Sequence, residues 1–524
     1  MKTYLLLILM FISTPCMLLG RLIDERPCCG TRVDIPLRPY CCDCCGDTDQ
    51  RSHSFMFTRP LTQQLNRDQA LWHAIIHTKE HVARGAADIT VAYRESLHSD
   101  RIARYFLPVC NTTVLVSGDC NFQDTHTRNI RAEWLGLPNN FRGRFSIKPE
   151  QKQAGVILEY NQDIGAIIDS ALFNNSWINI QAPLVWVQNN MRLEQFDVIN
   201  SGSENPKDIV QALRQPGWDY AKICGKKSHT GLAEVNFKFG RTFLANDFFL
   251  VSYYSLCRLP SANKQNPEFI FDPVVGNNQH FGFGAGVNFQ ILLQEECDRF
   301  AFCFFTNLES TFFVRNMQTR TFDLKGKPWS RYLLLTHIDG PLGNSTPGVN
   351  VLTREGHVHP YNMVDFSTGV RFKWGQAEFE LGFNIWGHGN ERIELRCPFK
   401  SEWGIAGIVT ATGCQTPQPA PAPRIVAVTA SDSTICTQAD NDIIIDPDTK
   451  EKQSIFVPIR ESDLDLNSGM SQAALNYIIH ATAGYIYEGK NFDGLCNAGI
   501  YFEFIDKNGA LPTAGFWAKI GASF

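Results

Sequence analysis

The segment NMVDFSTGVRFKWGQAEFELGFNIW, residues 362–386, decides the fold. Val364, Phe366, Val370, Phe372 and Trp374 fall on one side of an extended chain, and Asp365, Ser367, Gly369, Arg371 and Lys373 fall on the other. After the short Gly375-Gln376 turn, Ala377, Phe379, Leu381, Phe383 and Ile385 alternate in the same way against Glu378, Glu380, Gly382 and Asn384. Each arm is about as long as a tilted strand must be to cross a bilayer. A strand with hydrocarbon on one side and a polar interior on the other needs this pattern, because every second side chain meets lipid.

The alternation recurs, and two adjoining stretches, Phe141–Lys148 and Gln153–Tyr160, read as barrel strands joined by a Pro149-Glu150 turn. Phe281, Phe283, Ala285, Val287, Phe289 and Ile291 alternate with His280, Gly282, Gly284, Gly286, Asn288 and Gln290. Ala233, Val235, Phe237 and Phe239 alternate with Glu234, Asn236 and Lys238, and Ala498, Ile500, Phe502 and Phe504 with Asn497, Gly499, Tyr501 and Glu503. The glycines of 282–286 make no phosphate loop, since Val287 stands where a third glycine belongs and no helix follows. A soluble β-sandwich also alternates. Its strands usually hold about 5–6 residues, whereas several here keep phase for longer, with Phe-rich apolar faces and with Trp374 and Tyr487 near segment ends, as in interfacial girdles. The expected architecture is all-β, a transmembrane antiparallel up-and-down barrel of about 14 strands over residues 85–524. No stretch after the N-terminus is long and apolar enough for a spanning helix, and a net charge of −5 provides no basic footprint for nucleic acid.

The chain ends Gly515-Phe516-Trp517-Ala518-Lys519-Ile520-Gly521-Ala522-Ser523-Phe524, with Phe516, Ile520 and Phe524 on one face. This resembles the closing strand of Gram-negative outer-membrane proteins. The resemblance implies a bacterial outer-membrane location, with lipid and the barrel-assembly machinery as partners and Phe516, Ile520 and Phe524 as the assembly signal. A partial likeness to the fatty-acid transporter barrels implies a similar strand number and an N-terminal hatch, without their substrate-binding residues.

At the other end, Lys2, the apolar run 4–12 and Pro15 read as a signal peptide over 1–20. Residues 21–84 form a small cysteine-rich and partly helical segment, either periplasmic or a hatch. Within it Cys28, Cys29, Cys41, Cys42, Cys44 and Cys45 are disulfide candidates, because an exported chain meets an oxidising compartment. Adjacent cysteines bridge poorly to each other, so their partners lie elsewhere in the segment or on another chain. A zinc knuckle is the competing reading, but paired C-x-x-C units are missing. The composition resembles the disulfide-linked envelope proteins of chlamydiae, which implies disulfide-linked neighbours. Leu65, Trp72 and Ile76 have helical spacing within 61–83, a packing helix in preference to a gate. Pro206 opens a short helix over 206–213. Residues 414–470, with Pro417, Pro419, Pro421 and Pro423 and then an acidic stretch, form a long polar loop expected outside the cell.

No G-x-S-x-G, H-E-x-x-H or P-loop is present, so the chain is expected not to be an enzyme, and no motif calls for a metal or other cofactor. His357 and His359 read as a solvated pair before a metal site. The residues expected to line the lumen are Glu234, Lys238, Arg371, Lys373, Glu378, Glu380 and Lys519. The function they suggest is a channel or transporter for small solutes, selecting by charge and constriction. The alternative is a structural or adhesive surface barrel cross-linked by disulfides, as a homo-oligomer or to other envelope proteins.

Overall fold

The chain divides into Met1–Gln50 and Arg51–Phe524. The computed structural model describes residues 52–70 and, from 85 to 524, all except 98, 110, 126, 166, 169, 200, 202–205, 247, 297–299, 341–344, 408–427, 490–491 and 506–508. The expected signal peptide and the cysteines Cys28 to Cys45 lie outside the described residues.

Twelve antiparallel strands close on themselves: β1 (Gly85–Ser96), β2 (Glu150–Asp163), β3 (Ser176–Asn190), β4 (Val235–Ala245), β5 (Phe249–Leu259), β6 (Gly282–Glu296), β7 (Phe300–Phe313), β8 (Asn362–Trp374), β9 (Ala377–His388), β10 (Ala474–Tyr487), β11 (Asp493–Ile505) and β12 (Thr513–Ser523). Each pairs with its neighbours in sequence, and β12 pairs with β1 in the register Ala86↔Ser523 to Ser96↔Thr513. Phe524 and Gly85 exchange backbone hydrogen bonds of 2.9 and 2.8 Å, so the terminal residue seals the last seam. A thirteenth strand, Lys227–Leu232, runs on the line of β4 and pairs with β3 where β4 leaves off.

The count is twelve, not the fourteen expected. The 141–148 stretch, expected as a barrel strand, supplies Arg142–Ser146 to a separate four-stranded sheet with Ile130–Arg131, Thr113–Ser117 and Glu194–Ile199. The expected helix at 206–213 shortens to Ile209–Ala212, and its N-cap is Asp208, which accepts from the Gln211 N–H at 2.8 Å.

The expected faces are those observed. Val91, Leu158, Phe283, Phe379, Leu381, Ile500, Phe516 and Ile520 point outward and are exposed, Ile520 to 66%. Leaving such side chains in water would forgo about 1.5–3 kcal/mol each, and a soluble monomer rarely shows so continuous an apolar surface. Hydrocarbon removes that penalty, which decides against the sandwich. Trp374, Tyr485, Tyr487 and Phe524 cluster outward at one rim, where Trp374 pairs with Ala377 and Ala377 with Tyr485.

The two rims differ. The rim bearing Phe524 has short turns, such as Gly375-Gln376, where Gly375 takes φ +58°. The opposite rim carries the connections 97–149, 191–234, 260–281, 314–361 and 389–473, folded over it as small sheets and helices. Inside, large rings lie against glycines on the paired strand: a Cβ on Gly240 would stand 2.2 Å from Trp177, and one on Gly499 2.6 Å from Trp517. These glycines leave room for indole rings to lie flat on the inner wall.

Candidate functional site in the barrel lumen

Residues 52–70 run through the interior of the barrel. They contain one turn of helix, α1 (Leu65–Gln69), and are almost wholly buried. Polar side chains dominate the segment; the wall and the long connections pair many of them, and Arg67 is held within the segment by Asp68 and the Leu61 carbonyl.

The path begins under the long connections. Ser52 Oγ donates to Asp323 at 2.7 Å, and Ser54 Oγ to the Thr321 carbonyl at 2.6 Å. His53 stacks on Tyr105 with ring centres 4.5 Å apart. Phe57 then packs among Tyr361, Trp386 and His388. Deeper, Arg59 pairs with Glu503 of β11 at 2.9 Å, both side chains buried. Thr62 donates to Glu234 at 2.9 Å, Trp386 of β9 donates to the Gln63 amide oxygen at 3.2 Å, and the Leu65 N–H donates to Asp365 of β8 at 3.2 Å. At the far end Lys519 of β12 reaches the carbonyls of Asp68 and Ala70 at 3.5 and 3.4 Å. Gln151 of β2 donates to Thr58 at 3.0 Å, so the segment is bonded to β2, β8, β9, β11 and β12.

The residues expected to line water all point inward, but most are engaged. Glu234 holds Arg258 at 2.7 Å, Arg258 holds Glu309 at 2.5 Å, and Glu309 holds Lys238 at 3.1 Å. A second group joins Arg371 to Glu378 and Glu380, each at 3.0 Å, with His480 3.2 Å from Glu380. Lys373 alone of the seven is only half-buried, near the short-turn rim. The correction is one of role: Glu234, Lys238, Arg371, Glu378, Glu380 and Lys519 hold one another and the segment, because carboxylates two apart on a strand share a face and need a cation between them. A small cleft remains beside the end of α1, bounded by Gln69, Leu250, Asn288, Gln290, Asn307 and Arg371. Arg59, Gln63 and Asp365 were missed as site residues, and the polar, unalternating composition of 58–69 was the one available signal.

His357 and His359 lie on the strand Thr353–His359 among the long connections, with His359 3.3 Å from Glu394. No group of three metal-ligating side chains occurs among the described residues.

Above the rim, Asp119 binds Arg128 and Arg131, each at 2.7 Å. Those arginines reach the Cys436 carbonyl at 2.5 Å and Gln438 at 2.6 Å, tying the 97–149 connection to the 389–473 one. Burial acts to raise the Asp119 carboxyl, but the hydrogen bonds and charges of Arg131 and Arg128 outweigh it and hold the group below its usual range. A depressed carboxyl contributes stability above its unfolded value and loses it as pH falls through the folded one. This tie is therefore expected at full strength above the ordinary carboxylate range, and to weaken as pH falls through the lower folded value. Hydrogen exchange over 428–440, corrected for intrinsic rates, should rise on acidification, and Asp119→Asn should make it high at every pH. Equal protection in Asp119→Asn and the parent would remove Asp119 from this role.

No family model and no curated protein matches the chain. Among solved structures it is similar to an outer membrane channel from Pseudomonas putida F1, with 8% identity, TM-score 0.36, and 86% of this chain and 98% of that one covered. It is also similar to the beta domain of the Bordetella autotransporter BrkA, with 9% identity, TM-score 0.32, and 84% and 100% covered. The Pseudomonas putida toluene transporter TodX aligns with 8% identity, TM-score 0.31, and 90% and 94% covered. A closed antiparallel ladder, an apolar belt and an aromatic rim make this chain a transmembrane β-barrel.

Proposed function

We propose that the barrel is a channel for small solutes whose resting lumen is closed by residues 52–70, and that conduction requires this segment to shift. The observation that carries the reading is the chemistry of the closure. Apart from the buried apolar side chains of Phe55, Met56, Phe57, Leu61, Leu65 and Ala70, the segment is held by hydrogen bonds and one cross-lumen ion pair, Arg59 to Glu503. Such contacts exchange for water at little net cost, about 0.5–1.5 kcal/mol each, whereas an interdigitated apolar core would not. The twelve-strand wall keeps its own ladder whether or not the segment is seated.

The expected result in planar bilayers is a protein silent or nearly so at rest, which shows discrete, reversible conductance steps in urea too dilute to unfold the barrel. Silence up to the point of barrel unfolding would overturn the channel reading. It would favour a structural or adhesive surface barrel, to which the dense pairing of Glu234, Arg258, Glu309 and Lys238 lends support. The selectivity test is Lys373→Glu, because Lys373 is half-buried and its substitution leaves both ion-pair groups intact. Open-state selectivity should move toward cations, and an unchanged reversal potential would remove Lys373 from the permeation path.

A further inference from the structure

We infer that the chain enters the barrel through the rim that carries the long connections, so that Ser52 stands on the outer side of the membrane. Three placements within the barrel unit carry this. Ser52 and Ser54 are bonded to Asp323, Thr321 and Ser468, which belong to the 314–361 and 389–473 connections. Asp68 and Ala70 meet Lys519, in the half of β12 that leads to Phe524. β1 then starts at Gly85, bonded to Phe524 at the opposite rim. Between Ser52 and Gly85 the chain passes from one rim to the other.

In bacterial barrels the short turns face the periplasm and the long connections face outward. A first strand that starts at the short-turn rim ordinarily leaves its N-terminal flank in the periplasm, where export delivers it. Here passage through the lumen reverses that address. The inference does not depend on whether the barrel conducts.

The test places one site-specific protease site in the full-length protein at each of three positions, in separate variants: between Arg51 and Ser52, within the exposed turn at 446–451, and at Gly375-Gln376. Protease is added to intact and to permeabilised cells. The expected pattern is cleavage before Ser52 and at 446–451 in intact cells, and at 375–376 only after permeabilisation. Cleavage at 446–451 with protection before Ser52 in intact cells would overturn the inference. Cleavage of intact cells at 375–376 alone would overturn it too, by showing the barrel inverted. An epitope replacing residues 46–50, read by antibody binding to whole cells, gives the same decision if the cleavage site itself disturbs assembly.

Discussion

Deletion of residues 52–70 should turn a silent barrel into an open pore, with mean conductance raised roughly tenfold or more, because the lumen is then bounded only by the wall and water. The wall ladder contains no residue of the deleted segment, so the barrel should still migrate as a folded species on unboiled gels. Arg59→Ala is the milder form of the same experiment. It leaves Glu503 buried, still accepting from Asn476 at 2.5 Å and from Thr513, but without its cation. Losing one partner of a buried pair costs about 3–5 kcal/mol, and unseating the segment to hydrate Glu503 relieves that cost. Frequent openings are therefore expected in Arg59→Ala, with Glu503→Gln in the same chain restoring closure in part. Deletion that leaves the bilayer silent in a heat-modifiable protein would show that some other part of the chain closes the barrel.

Asp323→Ala should produce the largest loss of stability outside the barrel wall. Asp323 accepts from Arg331 Nε at 2.9 Å and Nη2 at 2.6 Å, from the backbone N–H groups of Trp329 and Arg331, and from Ser52. Arg331 is fully buried, so removing the carboxylate leaves a buried guanidinium without its counter-charge and takes the acceptor from its Nε and from the Arg331 N–H, while Ser52 still accepts from Nη2 and from the Trp329 N–H. The expected cost to that layer is about 3–5 kcal/mol, read as a lower urea midpoint for loss of hydrogen-exchange protection over 316–335. The ladder of β1 to β12 should keep its protection. Since Ser52 is anchored on the same carboxylate, openings in bilayers should rise as well. Loss of protection over 316–335 with no change in openings would separate the anchor from the closure. A protein with unchanged midpoint would show that Ser52 and the Thr321–Thr353 contact hold the layer without Asp323.

Several features of the fold were legible because lipid imposes them locally. Phe379, Leu381 and Phe383 point outward for the same reason that Glu378, Glu380 and Gly382 point inward: successive side chains on a strand alternate, and only one side can meet hydrocarbon. The terminal Phe524 was readable in the same way. Arg142–Ser146 was misjudged because a short strand with a few alternating residues looks alike in a barrel wall and in a loop sheet, and only its pairing partners separate the two. The inward set was identified by position but not by role. Nothing in the spacing of Glu378 and Glu380 says that Arg371 on β8 lies across from them in register, or that His480 on β10 completes the group.

By itself, the amino-acid sequence determined that this chain crosses a membrane with strands, which residues face lipid, and how the last strand closes the ladder. Those facts depend on a two-residue period and on one neighbour, hydrocarbon, that is the same all around the barrel. Only the tertiary structure decided that twelve strands close, that the inward charges are spent on one another, and that residues 52–70 fill the lumen. Those facts depend on which side chains meet across the barrel, and partners such as Arg59 and Glu503, 444 positions apart, are brought together by closure and register, of which no local pattern carries a trace.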